Sequence, residues 1–142
     1  MNPSSQWVFS STRRAIADPA IRRALGPLAA LSDDQAITDI FVTSDGRVFA
    51  DRGSGAVVGT GLQLGQSEST DLARGIIEEG GRHLNEASPM VDVRLAEGMR
   101  VHAVLPPVAV GGPILSIRFA RQAMVAVDYL ALQWTHQQRE RV

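Results

Sequence analysis

Residues 88–120 read SPMVDVRLAEGMRVHAVLPPVAVGGPILSIRFA, and the alternation inside this stretch decides the fold. Val91, Val93 and Leu95 alternate with Asp92 and Arg94. After Ala96-Glu97-Gly98, Met99, Val101, Ala103 and Leu105 alternate with Arg100, His102 and Val104. A period of two marks strands with one apolar face. A three-residue loop ending in glycine is a common hairpin connection, the glycine taking the left-handed position. Pairing Leu95 with Met99 sets Arg94 opposite Arg100 and Asp92 opposite His102. Pro106-Pro107 cannot continue the ladder and ends the second strand in an extended path. Gly111-Gly112-Pro113 then turns the chain into residues 114–120, where Leu115, Ile117 and Phe119 face one way and Ser116, Arg118 and Ala120 the other.

This register carries a cost, because like charges directly opposite on a sheet are unfavourable by a few tenths to about 1 kcal/mol. Two readings offset it: an acidic neighbour, Asp92 or Glu97, or a bound phosphate gripped by paired guanidinium hydrogen bonds. Arg118 joins Arg94 and Arg100 only if its strand lies beside or near the hairpin, which the sequence does not fix.

Upstream, residues 67–84 switch to helical spacing, with Leu72, Ala73, Ile76 and Ile77 as an apolar stripe that needs a sheet face to cover. Ser67 or Ser69 is the expected cap, Asp71 lies where the helix dipole favours negative charge, and Gly80-Gly81 either ends the helix or weakens its last turn. Before it, residues 37–44 alternate as a strand. Asp45-Gly46 is the two-residue signal for a type I′ hairpin returning through residues 47–52, and Gly53-Ser54-Gly55 turns the chain into a third strand, 56–64, interrupted by Gly59 and Gly61. The first thirty residues read as broken helices: Ser11 or Thr12 caps one, Asp18-Pro19 starts another, and Gly26-Pro27 interrupts before a turn over residues 28–31. The fold expected is α+β, with N-terminal helices followed by an antiparallel or mixed sheet of about six strands and one main helix, 69–84, packed on it.

Composition narrows the chemistry. With 142 residues, 44% apolar and 20% charged, the chain suits one soluble globular domain. A formal net charge of -1 gives no bulk attraction to nucleic acid or anionic lipid, so any anion site must be local. All 14 basic residues are arginine. Lacking lysine, the sequence carries no P-loop lysine, Schiff base or lysine general base, and lacking cysteine it carries no disulfide, thiol nucleophile or cysteine-ligated zinc. His83, His102 and His136 have no metal-ligand spacing, so no metal site is expected, and no G-x-S-x-G elbow supports serine catalysis. Nothing resembles a secretory signal or an apolar stretch of the ~18 residues that span a membrane. The apolar run MVAVDYLALQW, residues 124–134, is either a terminal helix packed on its own domain or part of an interface with another.

The order GPLAAL, TDIFV with an Asp-Gly turn, RVFADRGSG, then GRHLNEASPMVDVRLAEGMRVHAVLPPVAVGGPILSIR resembles the N-terminal domain of secretion ATPases of the TadA/CpaF and VirB11 type. These serve type II/IV secretion systems, and the likeness is closest to the actinobacterial branch used in Flp/Tad pilus assembly. It spans roughly residues 25–121. The resemblance implies residues 1–121 as the N-terminal domain and 122–142 as a C-terminal helical linker towards a RecA-like ATPase domain. It further implies a cytoplasmic homohexamer, peripheral to the inner-membrane face and working with pilus or secretion platform proteins, with ATP and magnesium as cofactors of the full-length protein and no nucleic acid.

By the same resemblance, Arg100 and Arg118 contact the nucleotide phosphates and Arg94 is a possible third, while no catalytic residue lies in this chain alone. Two positions depart from the family pattern: Glu97-Gly98 stands for the usual Asp-Gly of the arginine hairpin, and Thr43-Ser44 for the Asn-Gly after the first strand. No G-x-x-x-x-G-K-[ST] sequence or Walker B acid follows, so the chain is not expected to hydrolyse or hold ATP by itself. The competing expectation is a stand-alone protein- or nucleic-acid-binding module, against which the thin aromatic content (four Phe, two Trp, one Tyr) weighs for base stacking.

Overall fold

A computed structural model describes residues 16–120. Helix α1 (Pro19–Leu25) opens as its sequence requires: Asp18 Oδ1 accepts hydrogen bonds from the amides of Ala20 at 2.8 Å and Ile21 at 3.3 Å, and Pro19 occupies the first turn. Gly26-Pro27 breaks it into a 3₁₀ turn (Gly26–Leu28), followed by the short α2 (Ala29–Ser32), one residue later than the spacing indicates. Arg22 clasps Asp33 through both terminal nitrogens at 2.6 and 2.7 Å, and this hydrogen bonding raises the Arg22 pKa further. Arg52 reaches Asp34 at 2.7 Å, fastening the sheet to the same loop.

Six strands form one antiparallel sheet: β1 (Asp39–Val42), β2 (Arg47–Asp51), β3 (Val57–Gln63), β4 (Met90–Arg94), β5 (Arg100–Val104) and β6 (Ile114–Arg118), in the order β3-β2-β1-β6-β5-β4. Two three-stranded meanders thus meet at β1 and β6, and the expected α+β architecture holds with every pairing antiparallel. One face carries the core. Ile40, Val101, Ala103 and Ile117 are completely buried, joined by Val42, Val48, Val91, Val93 and Leu115. Removing a side chain of this size from water contributes about 1.5–3 kcal/mol each.

The main helix, α3 (Gln66–Glu79), presents Leu72, Ala73, Ile76 and Ile77 to this core and packs on α1, β4 and β5. Its ends differ from the sequence reading. Gly65, not Ser67 or Ser69, is the N-cap, and its amide donates to Glu68 Oε2 at 3.4 Å. Ser69 lies one turn inside, buried, its Oγ without a partner among the described residues. The helix also stops at Glu79 and does not run to residue 84. Gly81 adopts φ 78, and the amides of Gly81 and Arg82 close back on Glu78 and Ile77. A side chain at Gly80 would press on Val93, its Cβ 2.7 Å from that of Val93, so this glycine permits the close approach of helix and β4.

The β1–β2 connection is a three-residue loop and not the two-residue type I′ turn. Thr43 N donates to Arg47 O, Gly46 N donates to Thr43 O, and only Gly46 has positive φ, whereas type I′ needs it at Asp45 as well. Asp45 organises this loop: its carboxylate accepts from Thr43 Oγ1 at 2.5 Å and from Arg47 N and Nε at 3.3 and 2.8 Å. These bonds, the Thr43 hydroxyl foremost, hold its pKa below the ordinary carboxylate value. Strand β3 is irregular where Gly61 takes φ 83, the register shifting between Arg47 and Phe49. After β5 the chain curls, with a cis Pro106-Pro107 bond and the amide of Ala109 donating to Leu105 O at 3.1 Å, where an extended path is expected. Gly112 rests on the Ser44 carbonyl, leaving no room for a Cβ. The helix expected after Ser11 or Thr12, the 122–142 linker and the 124–134 apolar run lie outside the described residues.

Gly80→Ala is expected to destabilise the domain by about 1–3 kcal/mol through overpacking on Val93, read as a lower urea midpoint. Asp45→Ala should show a distinct pH signature. Because the folded pKa is depressed, the carboxylate's stabilisation is present above its unfolded value and lost as pH falls through the folded one. The stability gap between wild type and variant, measured by denaturant titration, should therefore be full at neutral pH and close below the ordinary carboxylate range.

Candidate functional site

The register of the arginine hairpin is the one read from the sequence: Arg94 lies opposite Arg100 and Asp92 opposite His102, with Leu95 N donating to Met99 O across Ala96-Glu97-Gly98. Both Glu97 (φ 64) and Gly98 (φ 75) adopt left-handed backbone, so the tip turns on two such residues and not on glycine alone. Glu97 does not neutralise the arginines; its carboxylate accepts from Ala17 N at 3.3 Å.

Strand β6 lies directly beside β5, with Arg118 opposite Arg100, so the adjacency left open by the sequence is settled. On the other side, Arg118 is opposite Asp39 of β1, and Asp39 is opposite Asp51 of β2. Directly opposed residues share a face, so Arg94, Arg100, Arg118, Asp39 and Asp51 make one row across five strands, on the face turned away from the core. The next row holds Asp92, His102, Ser116, Phe41 and Phe49, and beyond it Met90, Val104 and Ile114. This open face therefore runs from cationic at one end of the right-hand meander to apolar at the other, where Met90 and Ile114 are exposed.

The three arginines are restrained to different degrees. Arg118 Nε donates to Asp39 Oδ1 at 3.0 Å, Arg100 only approaches Asp92 Oδ2 at 3.5 Å, and Arg94 has no ion pair among the described residues. Of the two acids expected to relieve the repulsion, Asp92 alone answers, weakly and only for Arg100, and Arg94 is unanswered among the described residues. Asp51 makes no ion pair with the arginines among the described residues; its Oδ1 accepts from Gly53 N and Gly55 N in the following turn. Asp39 is the functional candidate that the sequence reading missed. Its signal was a lone acid inside the apolar run ITDIFV, uninterpretable without the β1–β6 pairing. Separately, a shallow depression lined by Pro19, Arg22, Arg23, Gly26 and Ala29 shares no residue with the row.

Chemically, a row of exposed guanidiniums offers planar paired donors to oxyanions, phosphate above all. In fold the chain matches the VirB11 ATPase of the Brucella suis type IV secretion system, solved in complex with sulphate, at TM-score 0.59 and 25% identity, over 70% of this chain and 31% of that one. The likeness is to a secretion ATPase. In sequence the chain is 36% identical over 112 residues to proteins named as conjugal transfer proteins in two strains of Mycobacterium tuberculosis, covering 75% of this chain. It spans only 32% of their length. No family model matches the sequence. Among the described residues no helix is long and apolar enough to cross a membrane.

The unrelieved arginines make a stability prediction. Arg94→Glu replaces repulsion across from Arg100 with attraction and should stabilise the domain by a few tenths to about 1 kcal/mol. The gain is measured by urea denaturation and should shrink at high ionic strength.

Proposed function

We propose that this chain is the N-terminal, ring-forming and nucleotide-contacting domain of a secretion or pilus-assembly ATPase of the VirB11 and TadA/CpaF type. In this reading Arg100 and Arg118, with Arg94 assisting, reach the phosphates of ATP held by a RecA-like domain. The observation that carries it is the row itself: three arginines from three adjacent strands, on one face of a sheet whose fold is that of part of a VirB11 ATPase. The matched stretch takes up only 32% of each relative, and the rest of their length has room for a nucleotide-binding domain. The Flp/Tad branch is favoured by the sequence motifs around Arg94, Arg100 and Arg118.

The division of labour follows from the donors present. Magnesium and ATP supply the phosphoryl chemistry when bound. Among the described residues the carboxylates of the row are already engaged, Asp39 by Arg118 and Thr38 and Asp51 by the amides of Gly53 and Gly55, so in this reading the metal is held by the RecA-like domain. Arginines in such a row act by stabilising charge that builds on the phosphate oxygens in the transition state. The resemblance to the family adds to this proposal a cytoplasmic homohexamer docked on inner-membrane secretion platform proteins.

With the chain joined to a RecA-like domain, Arg100→Ala and Arg118→Ala should each lower kcat of ATP hydrolysis by about 10²–10³-fold. Full activity after both substitutions would overturn the assignment. Salt-sensitive binding of an oligonucleotide by the isolated chain, lost with the same substitutions, would point instead to a nucleic-acid-binding module.

A further inference from the structure

Two arginines of this chain are paired with aspartates in opposite ways. Arg22 spends both terminal nitrogens on Asp33, a closed fork that takes up its two-pronged end. Arg118 spends only Nε, on Asp39, and its side chain is 74% exposed where that of Asp39 is 10% exposed. Among the described residues its Nη1 and Nη2 have no partner. Those two nitrogens are the pair that grips two oxygens of a phosphate at once.

Asp39 is itself fixed. A carboxylate this buried is costly unless both oxygens are engaged. Oδ1 takes the Arg118 bond, and Oδ2 accepts from Thr38 Oγ1 at 2.8 Å. Thr38 in turn is clamped between strands: its amide donates to Asp51 O at 2.8 Å and its carbonyl accepts from Phe119 N at 2.9 Å. Rotation of the Asp39 carboxylate would break bonds on both sides, so Asp39 offers Arg118 Nε an acceptor that the sheet holds in place.

We propose that Asp39 is a positioning residue for Arg118, holding the guanidinium by Nε so that its terminal nitrogens stand outward as a ready two-pronged phosphate donor. This rests on the phosphate reading of the row and adds the device that presents one of its arginines. It makes a prediction opposite to simple electrostatics. Asp39 is a negative charge beside a site for anions, so removing it should by Coulomb attraction strengthen anion binding. A positioning role requires the reverse, because an unheld arginine must be ordered anew by each ligand.

The test titrates the 142-residue chain with tripolyphosphate, followed by NMR. Asp39→Asn should weaken binding about tenfold, and Thr38→Val, which loosens Asp39 while keeping the Asp39–Arg118 pair and the side-chain volume, should weaken it less. In an Arg118→Gln background Asp39→Asn should weaken it no further. The ¹H–¹⁵Nε resonance of Arg118, protected from solvent exchange in the wild type, should lose that protection in Asp39→Asn. Unchanged or tighter binding in Asp39→Asn, or an Nε signal that stays protected, overturns the positioning role while leaving the phosphate reading intact. Failure of the wild-type chain to bind tripolyphosphate, or of Arg118→Gln to weaken binding, overturns this inference, while the phosphate reading itself stands or falls on ATP hydrolysis by the chain joined to a RecA-like domain.

Discussion

The pairing of β1 with β6 is the constraint on which the rest of the structure depends. It joins strands 79 residues apart at Asp39 and Arg118 and welds two local meanders into one sheet. Each meander alone is a three-stranded ribbon with one greasy face. Together they enclose one core with α1 and α3, with Ile40 and Ile117 paired at the seam and both fully buried. The same seam sets an acid of the first meander against an arginine of the second. Closing such a distant pair costs loop entropy that local hairpins do not, and the seam's buried residues are what offset it.

That distinction between local and distant pairing also separates what the sequence disclosed from what it withheld. The β4–β5 hairpin was legible to the residue, because the alternation on either side of Ala96-Glu97-Gly98 admits one register that buries Val91, Val93, Val101 and Ala103. Asp18-Pro19 announced the start of α1 through cap chemistry that acts over two or three residues. Less was legible where several local signals compete. Asp45-Gly46 suggested a two-residue turn, yet the hydrogen bonds from Thr43 and Arg47 to the Asp45 carboxylate favour a longer loop with only glycine left-handed. Ser67 and Ser69 are better caps than Gly65 on propensity, but Leu72, Ala73, Ile76 and Ile77 must face the sheet. That demand carries Ser69 into the buried side of the helix.

The candidate site divides along the same line. Arg94 and Arg100 face each other by hairpin geometry, and their opposition could be written down from the sequence. The placement of Arg118 beside Arg100, and of Asp39 beside Arg118, follows from the order β1-β6-β5, which no local pattern encodes. Asp39 was therefore invisible as a site residue even though its side chain is among the few charged ones to be nearly buried.

The treatment of charge across the row has a physical logic of its own. From the seam outward the arginines are progressively less compensated: Arg118 by a buried, doubly bonded carboxylate, Arg100 by an exposed one at 3.5 Å, Arg94 by none among the described residues. A row built for stability alone would have placed acids opposite each guanidinium, as the sheet's geometry readily allows and as Arg22 with Asp33 achieves elsewhere. Here the neighbouring acids are committed to other tasks, Glu97 to the backbone of Ala17 and Asp51 to the turn at Gly53 and Gly55. In a chain whose net charge is close to zero, that arrangement concentrates positive potential at one end of three adjacent strands. Repulsion retained at such a place is a stability cost that a bound oxyanion would relieve.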